Sequence, residues 1–199
     1  VKYANDEDEE EEDGNDDSRG SWRSPAERAR YLPAWQLRHK MQFLVDNLQF
    51  YLQVDVLDVQ HSTLERRIKQ AKSFEAVLHA HRVYLATLSE RCFLHARVIH
   101  RSFRTVFELC TDFCNLVSFQ GRGPFQAPEL RRIQALAREF KLQSTFLFSM
   151  LAQSTGQSAS NLHLQQLILR IDYNRSYTRE AMAGASSSLG AVGTAAGRR

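Results

Sequence analysis

Apolar residues recur along this chain at every third or fourth position, and nothing in it reads as a system of alternating strands. Between residues 24 and 179 only Pro25, Pro33, Pro124, Pro128 and Gly121, Gly123, Gly156 punctuate the backbone, so the intervening stretches can run as long helices. Ser24-Pro25-Ala26-Glu27 has the capping-box arrangement with proline at the first helical position, which predicts a short helix from Pro25 that Pro33 stops. A longer helix comes next, over 36 to about 60. There Leu37, Met41, Leu44, Leu48, Tyr51 and Leu52 fall on one stripe, and 25 residues would span about 37 Å. Ser62-Thr63-Leu64-Glu65 is a second capping box, compatible with a bend there or with continuation toward Lys72.

Over 74–92 a third helix is expected, with Phe74, Val77, Leu78, His81, Leu85, Leu88 and Cys92 on one face. The fourth, from about 96 to 117, places Ile99, Phe103, Val106, Cys110, Phe113 and Val117 at alternating spacings of four and three, a short seam for a neighbouring helix. Residues 119–127 carry GRGP and read as a loop. Pro128 then begins a fifth helix with Leu130, Ile133, Ala137, Phe140 and Leu147 inward, which Gly156 and nearby serines end. The last helix covers about 161–173 through Leu164, Leu167, Ile168 and Ile171. The resulting fold class is all-α: one domain, an antiparallel helical bundle with short connections.

Composition changes the picture at the ends. Residues 6–17 read DEDEEEEDGNDD, a like-charge block with nothing to bury, so 1–23 is expected to be an acidic disordered loop or linker. Residues 180–199 are rich in Ala, Gly and Ser and are expected to be a flexible tail, which leaves 24–179 as the bundle. The overall charge of +3 conceals an asymmetry. Ten of the 23 acidic and one of the 26 basic residues lie in the first 17 positions, so residues 18–199 carry 25 basic against 13 acidic side chains, a net of +12. No apolar run approaches the roughly 20 residues that cross a bilayer, so no membrane partner is expected. Three cysteines without a CxxC pair argue against a disulfide scaffold and for a reducing compartment. A first residue that is not methionine, with no signal core or transit peptide after it, reads as a piece of something longer.

Candidate chemistry is sparse. His79, His81, His95 and His100 lack the i, i+4 spacing of a helix-borne metal pair, and His81 on its apolar stripe reads as a core histidine. Cys110 and Cys114 do have that spacing, but two thiols alone make a poor site and are expected to be buried. No phosphate-binding loop, nucleophile elbow or zinc-deaminase pattern is present, so the chain is expected to be no enzyme and to need no cofactor or metal. Asp55 and Asp58 suit salt links better than an acid–base pair. The basic surplus instead asks for a partner. Arg66, Arg67, Lys69 and Lys72 cluster, and Arg97, Arg101 and Arg104 form a stripe at i, i+4, i+7, fit for an acidic protein. Nucleic acid is the rival, alongside a generic protein-interaction module, but no recognition helix or aromatic platform for bases is visible.

One segment is more particular than helical periodicity requires. Phe43-Leu44-Val45-Asp46-Asn47-Leu48-Gln49-Phe50-Tyr51-Leu52-Gln53-Val54-Asp55-Val56-Leu57 closely resembles the signature helix of the γ-tubulin complex component family. His81-Arg82-Val83-Tyr84-Leu85 is similar to the family's His-x-x-Phe-Leu, and Leu169-Arg170-Ile171-Asp172-Tyr173-Asn174 to its closing Leu-Asp-Tyr-Asn. The likeness covers about 36–179. Val56 to His61 lacks the tryptophan that some branches carry after this helix, and only Tyr177 remains of two tyrosines that usually come after the closing motif.

The resemblance implies the later part of a C-terminal bundle that binds γ-tubulin, with the acidic stretch as an insertion loop. Its members are scaffolds whose arrayed γ-tubulins template microtubule growth, so the implied partners are γ-tubulin and other components of the complex. The implied place is the cytoplasm and cytoskeleton, at a microtubule-organising centre such as a centrosome or spindle pole, in mitotic spindle assembly. Asn47, Gln49, Tyr51, Asp55, His81, Asp172 and Asn174 match motif positions and are either contacts or internal anchors, the anchor role being favoured for Tyr51 and His81. Arg38, His39 and Lys40, with Arg97, Arg101 and Arg104, are the candidate contacts to an acidic partner.

Overall fold

The computed structural model describes residues 25–118, 125–155 and 162–183, and among them every regular element is helical. The acidic segment, the GRGP loop and residues 184–199 lie outside the described residues. Helix α1 (Pro25–Phe50) passes into a π-helical segment (Tyr51–Asp58) and on into α2 (Val59–Gln70). After a short turn come α3 (Phe74–Arg91), α4 (Arg97–Ser118), α5 (Ala127–Thr155) and α6 (Leu162–Ile171), then a last helical stretch over residues 176–183.

The break expected at Pro33 does not occur, and of the two courses open at Ser62 the chain takes continuation. Pro33 sits inside α1 instead of ending the helix at its start. Its missing N–H leaves the carbonyl of Ala29 without the usual helical donor, and Ala29 is exposed, so water can serve it. Nor does Ser62-Thr63-Leu64-Glu65 start a new helix, because the Thr63 hydroxyl donates back to the Val59 carbonyl (2.9 Å) as a mid-helix threonine does. The anomaly lies earlier, in the π segment. Leu37, Met41, Leu44, Leu48 and Tyr51 are buried at spacings of four and three, whereas the next buried position is Val56, five residues on. The wider turn rotates Leu52 out of the expected stripe to 36% exposure.

The core joins Leu37, Leu44 and Tyr51 to Val106 of α4, Ile133, Leu147 and Leu151 of α5 and Leu167 of α6. α4 buries Ile99, Ser102, Val106, Leu109 and Phe113; Ser102 and Leu109 take the innermost places expected of Phe103 and Cys110, which are half-buried beside them, and Val117 at its end is exposed. Sequential neighbours run antiparallel: α4 packs on α5, and Tyr177 beyond α6 returns to stack on Phe148 of α5 (5.4 Å). By contrast α1 and α5 run parallel, since Tyr31 meets Phe125 just before α5, and His39 and Lys40 lie beside Phe140 and Lys141.

α3 departs most from expectation. It packs on α2 and the π segment, with Ala80 buried and Val77, Val83, Tyr84 and Leu88 half-buried. The stripe Phe74, Leu78, His81 and Leu85 is exposed, Phe74 by 80%. His81 is therefore a surface residue, not a core histidine, because α2 and α3 form a two-helix arm with no third element over that face among the described residues. Only the end of α3, from Leu88 to Phe93, meets the main core.

Candidate functional site

The motif residues are best understood from the helix ends they close. α3 ends in a paired backbone lock, Phe93 N–H to Glu90 O (3.0 Å) and Leu94 N–H to Ser89 O (3.0 Å), which requires a left-handed residue at 93. Phe93 supplies it at φ 59° although it is neither glycine nor asparagine. Its ring offsets that conformational cost by burial, stacked on Tyr51 (6.0 Å) and packed on Phe103 (5.7 Å). Tyr51 completes the lock: its hydroxyl donates to the Arg91 carbonyl (2.9 Å), one of the acceptors a helix end leaves over. Burial raises the Tyr51 phenol well above its ordinary pKa and keeps it a neutral donor. His163 of α6 also stacks on Tyr51 (6.1 Å), and burial, then the charge of Arg91, lowers its pKa.

Asp55 is carried toward α6 by the π segment. Arg170 donates two hydrogen bonds to its carboxylate, Nη1 to Oδ2 at 2.7 Å and Nη2 to Oδ1 at 3.1 Å, and the guanidinium lies 4.3 Å from the centre of the Phe50 ring. The pair links the signature helix to the closing motif across 115 positions of sequence. Asp172 then organises the turn beyond α6. Its carboxylate accepts from the N–H groups of Tyr177 (2.8 Å) and Thr178 and from the Thr178 hydroxyl, which caps the helical stretch over 176–183. Asn174 Oδ1 accepts from Ser176 N–H (3.1 Å) beside Arg175 at φ 56°. That stretch includes residues 180–183, placed in the tail by the sequence alone.

Of the other motif residues, Asn47 donates to the carbonyl of Phe43 in its own helix (2.7 Å), whereas Gln49 and His81 are exposed. The candidate contacts to an acidic partner fall into two separate places. Arg38, His39 and Lys40 are exposed on α1, Arg38 resting 5.3 Å from the Trp35 ring. His39 and Lys40 border a groove of about 270 Å³ shared with Phe140 and Lys141 of α5 and Tyr173 and Asn174 of the closing turn. The structure thus joins the start of the signature helix to its closing motif. Arg97, Arg101 and Arg104 are exposed on α4, where Arg104 pairs with Glu108 (2.8 Å) and borders a different, apolar groove of about 510 Å³ with Tyr51, Phe93 and Phe107. Cys110 and Cys92 are half-buried and Cys114 is exposed rather than buried; burial, then neighbouring Cys114, pushes the Cys110 thiol up to about 11.

Sequence reasoning did not single out Arg170, Lys141, Tyr173 or His163. Arg170 and Tyr173 are legible only as members of the closing motif; no local pattern marks the other two, since their neighbours are supplied by the fold. Chemically the assembly is a set of fixed helix ends beside one groove bordered by lysines and one that is apolar.

A family model described as gamma tubulin complex component C-terminal matches residues 13–177. Over 159 residues the chain is 39% identical to Gamma-tubulin complex component 4 of Mus musculus and of Homo sapiens, covering 80% of this chain. It is 30% identical over 159 residues to Gamma-tubulin complex component 4 of Arabidopsis thaliana, covering 79% of this chain and 21% of that protein. The chain spans about a quarter of the length (23%) of the mouse and human relatives.

Proposed function

The chain belongs to the γ-tubulin complex component family, and on that premise we propose that it is a non-catalytic scaffold segment of a γ-tubulin complex that binds γ-tubulin directly. The observation that carries the reading is the match to the family's C-terminal model over residues 13–177, nearly the whole bundle. The groove at His39, Lys40 and Asn174 supports it. It sits where the signature helix meets the closing motif, and its cations suit an acidic surface by charge complementarity. Other components of the complex are its further partners, the cytoskeleton at a microtubule-organising centre is its place, and support of microtubule nucleation is its role.

Interferometry with purified γ-tubulin, with αβ-tubulin and duplex DNA as controls, tests this. Selective binding to γ-tubulin that Lys40→Glu with Arg38→Glu weakens at least tenfold, about 1.4 kcal/mol, is expected. A chain of native helicity that ignores γ-tubulin, or prefers DNA with a steep salt dependence, overturns it.

A further inference from the structure

We propose that the groove between α1, α5 and the closing turn is a docking site for the chain's own acidic segment, residues 6–17, which thereby competes with any acidic partner. Charge is the first reason. Lys40 borders the groove and pairs with no carboxylate among the described residues, and Arg138, on the rim of a hollow that shares Lys141 with the groove, is likewise without one among them; Arg38 lies outside the groove, against the Trp35 ring. The one acid at the groove, Glu180, is engaged by Lys141 (3.0 Å) and Thr145 (3.1 Å). Lys40 and Arg138, left without a carboxylate among the described residues, are complementary in charge to a segment with ten carboxylates in twelve positions.

Geometry is the second reason. Because α1 and α5 run parallel, Arg138 and Lys141 stand at about the height of Arg38 to Lys40 instead of at the far end of the bundle. That height lies about 20–22 Å along α1 from Pro25, at 1.5 Å per residue. Seven residues lie between Asp17 and Pro25, which makes eight Cα–Cα steps, and extended chain reaches about 27 Å over eight steps. The acids therefore reach the cations when the connecting chain folds back along α1. A tether this short raises the local concentration to the millimolar range, so even a contact of about 0.1 mM intrinsic affinity would reduce access by an outside ligand roughly tenfold. Where that ligand is the γ-tubulin of the proposed function, the segment is an internal competitor for the same groove.

The test needs no γ-tubulin, so its failure and that of the functional reading are distinguishable. A labelled peptide of residues 6–17 is titrated by fluorescence anisotropy against the full chain and against a variant with every Asp and Glu of that segment changed to Asn and Gln. The variant should bind the peptide about tenfold more tightly than the parent, and added salt should weaken that binding. Introducing Lys40→Gln and Arg138→Gln into the variant should lower its affinity at least fivefold, while Arg66→Gln with Lys72→Gln at the far end of α2 should not. Circular dichroism confirms unchanged helicity throughout. Equal peptide affinity for parent and variant, or an equal loss from both pairs of substitutions, overturns the proposal.

Discussion

Replacing Asp55 by Asn tests whether the π segment exists to present that carboxylate to α6. Asp55 is 11% exposed and Arg170 31%, and two hydrogen bonds of 2.7 and 3.1 Å join them. Breaking a fully buried pair costs about 3–5 kcal/mol, mostly because a charge is left behind. Here the residual charge is the arginine, a third open to water and still held over Phe50, and Asn keeps one acceptor, so about 2 kcal/mol is expected, roughly a 30-fold rise in the unfolding constant. Urea denaturation followed by circular dichroism measures it. Arg170→Met keeps an apolar stem on Phe50, and the double variant should show a coupling of at least about 1 kcal/mol. A loss below about 0.5 kcal/mol for Asp55→Asn, or single losses that simply add, would refute the claim that this pair ties the two motifs together.

The same geometry makes three further outcomes testable. Pro33→Ala restores a donor to the exposed Ala29 carbonyl and should stabilise the chain by roughly 1–3 kcal/mol in urea titration; destabilisation would mean the proline ring is needed where it lies. His163 has its folded pKa lowered by burial and then by Arg91, against the opposing pull of Glu90 and Asp55, so the unfolded chain takes up the proton first. Stability should be full above about pH 6.5 and fall as the pH drops through that value toward the folded pKa, and His163→Gln should flatten this step in pH-dependent melts. Thiol labelling read by mass spectrometry should modify exposed Cys114 well before Cys110, whose thiol is pushed up to about 11; the reverse order would contradict the packing of α4.

Much of the architecture is determined by the sequence alone, because a helical stripe is a local property. The period of Leu37, Met41, Leu44 and Leu48, and of Ile133, Phe140 and Leu147, dictates both helix type and inward face without knowledge of the neighbour. Motif likeness likewise marks Tyr51, Asp55, Asp172 and Asn174 as unusual. Their partners are another matter: Tyr51 meets the end of α3, Asp55 meets Arg170, and His39 and Lys40 meet Lys141 and Asn174 only once the chain has folded. The π segment inserts one residue into the stripe, which shifts Leu52 outward and Val56 inward, and a window tuned to three and four misreads such a shift. His81 makes the same point from the other side. Periodicity places it on an apolar face correctly, but whether a face is buried depends on which element covers it, and α3 has only α2 and the π segment to pack against. The chain's local code chooses the helices and their stripes; the tertiary structure chooses which stripes meet, because burial and charge pairing are relations between residues far apart in sequence.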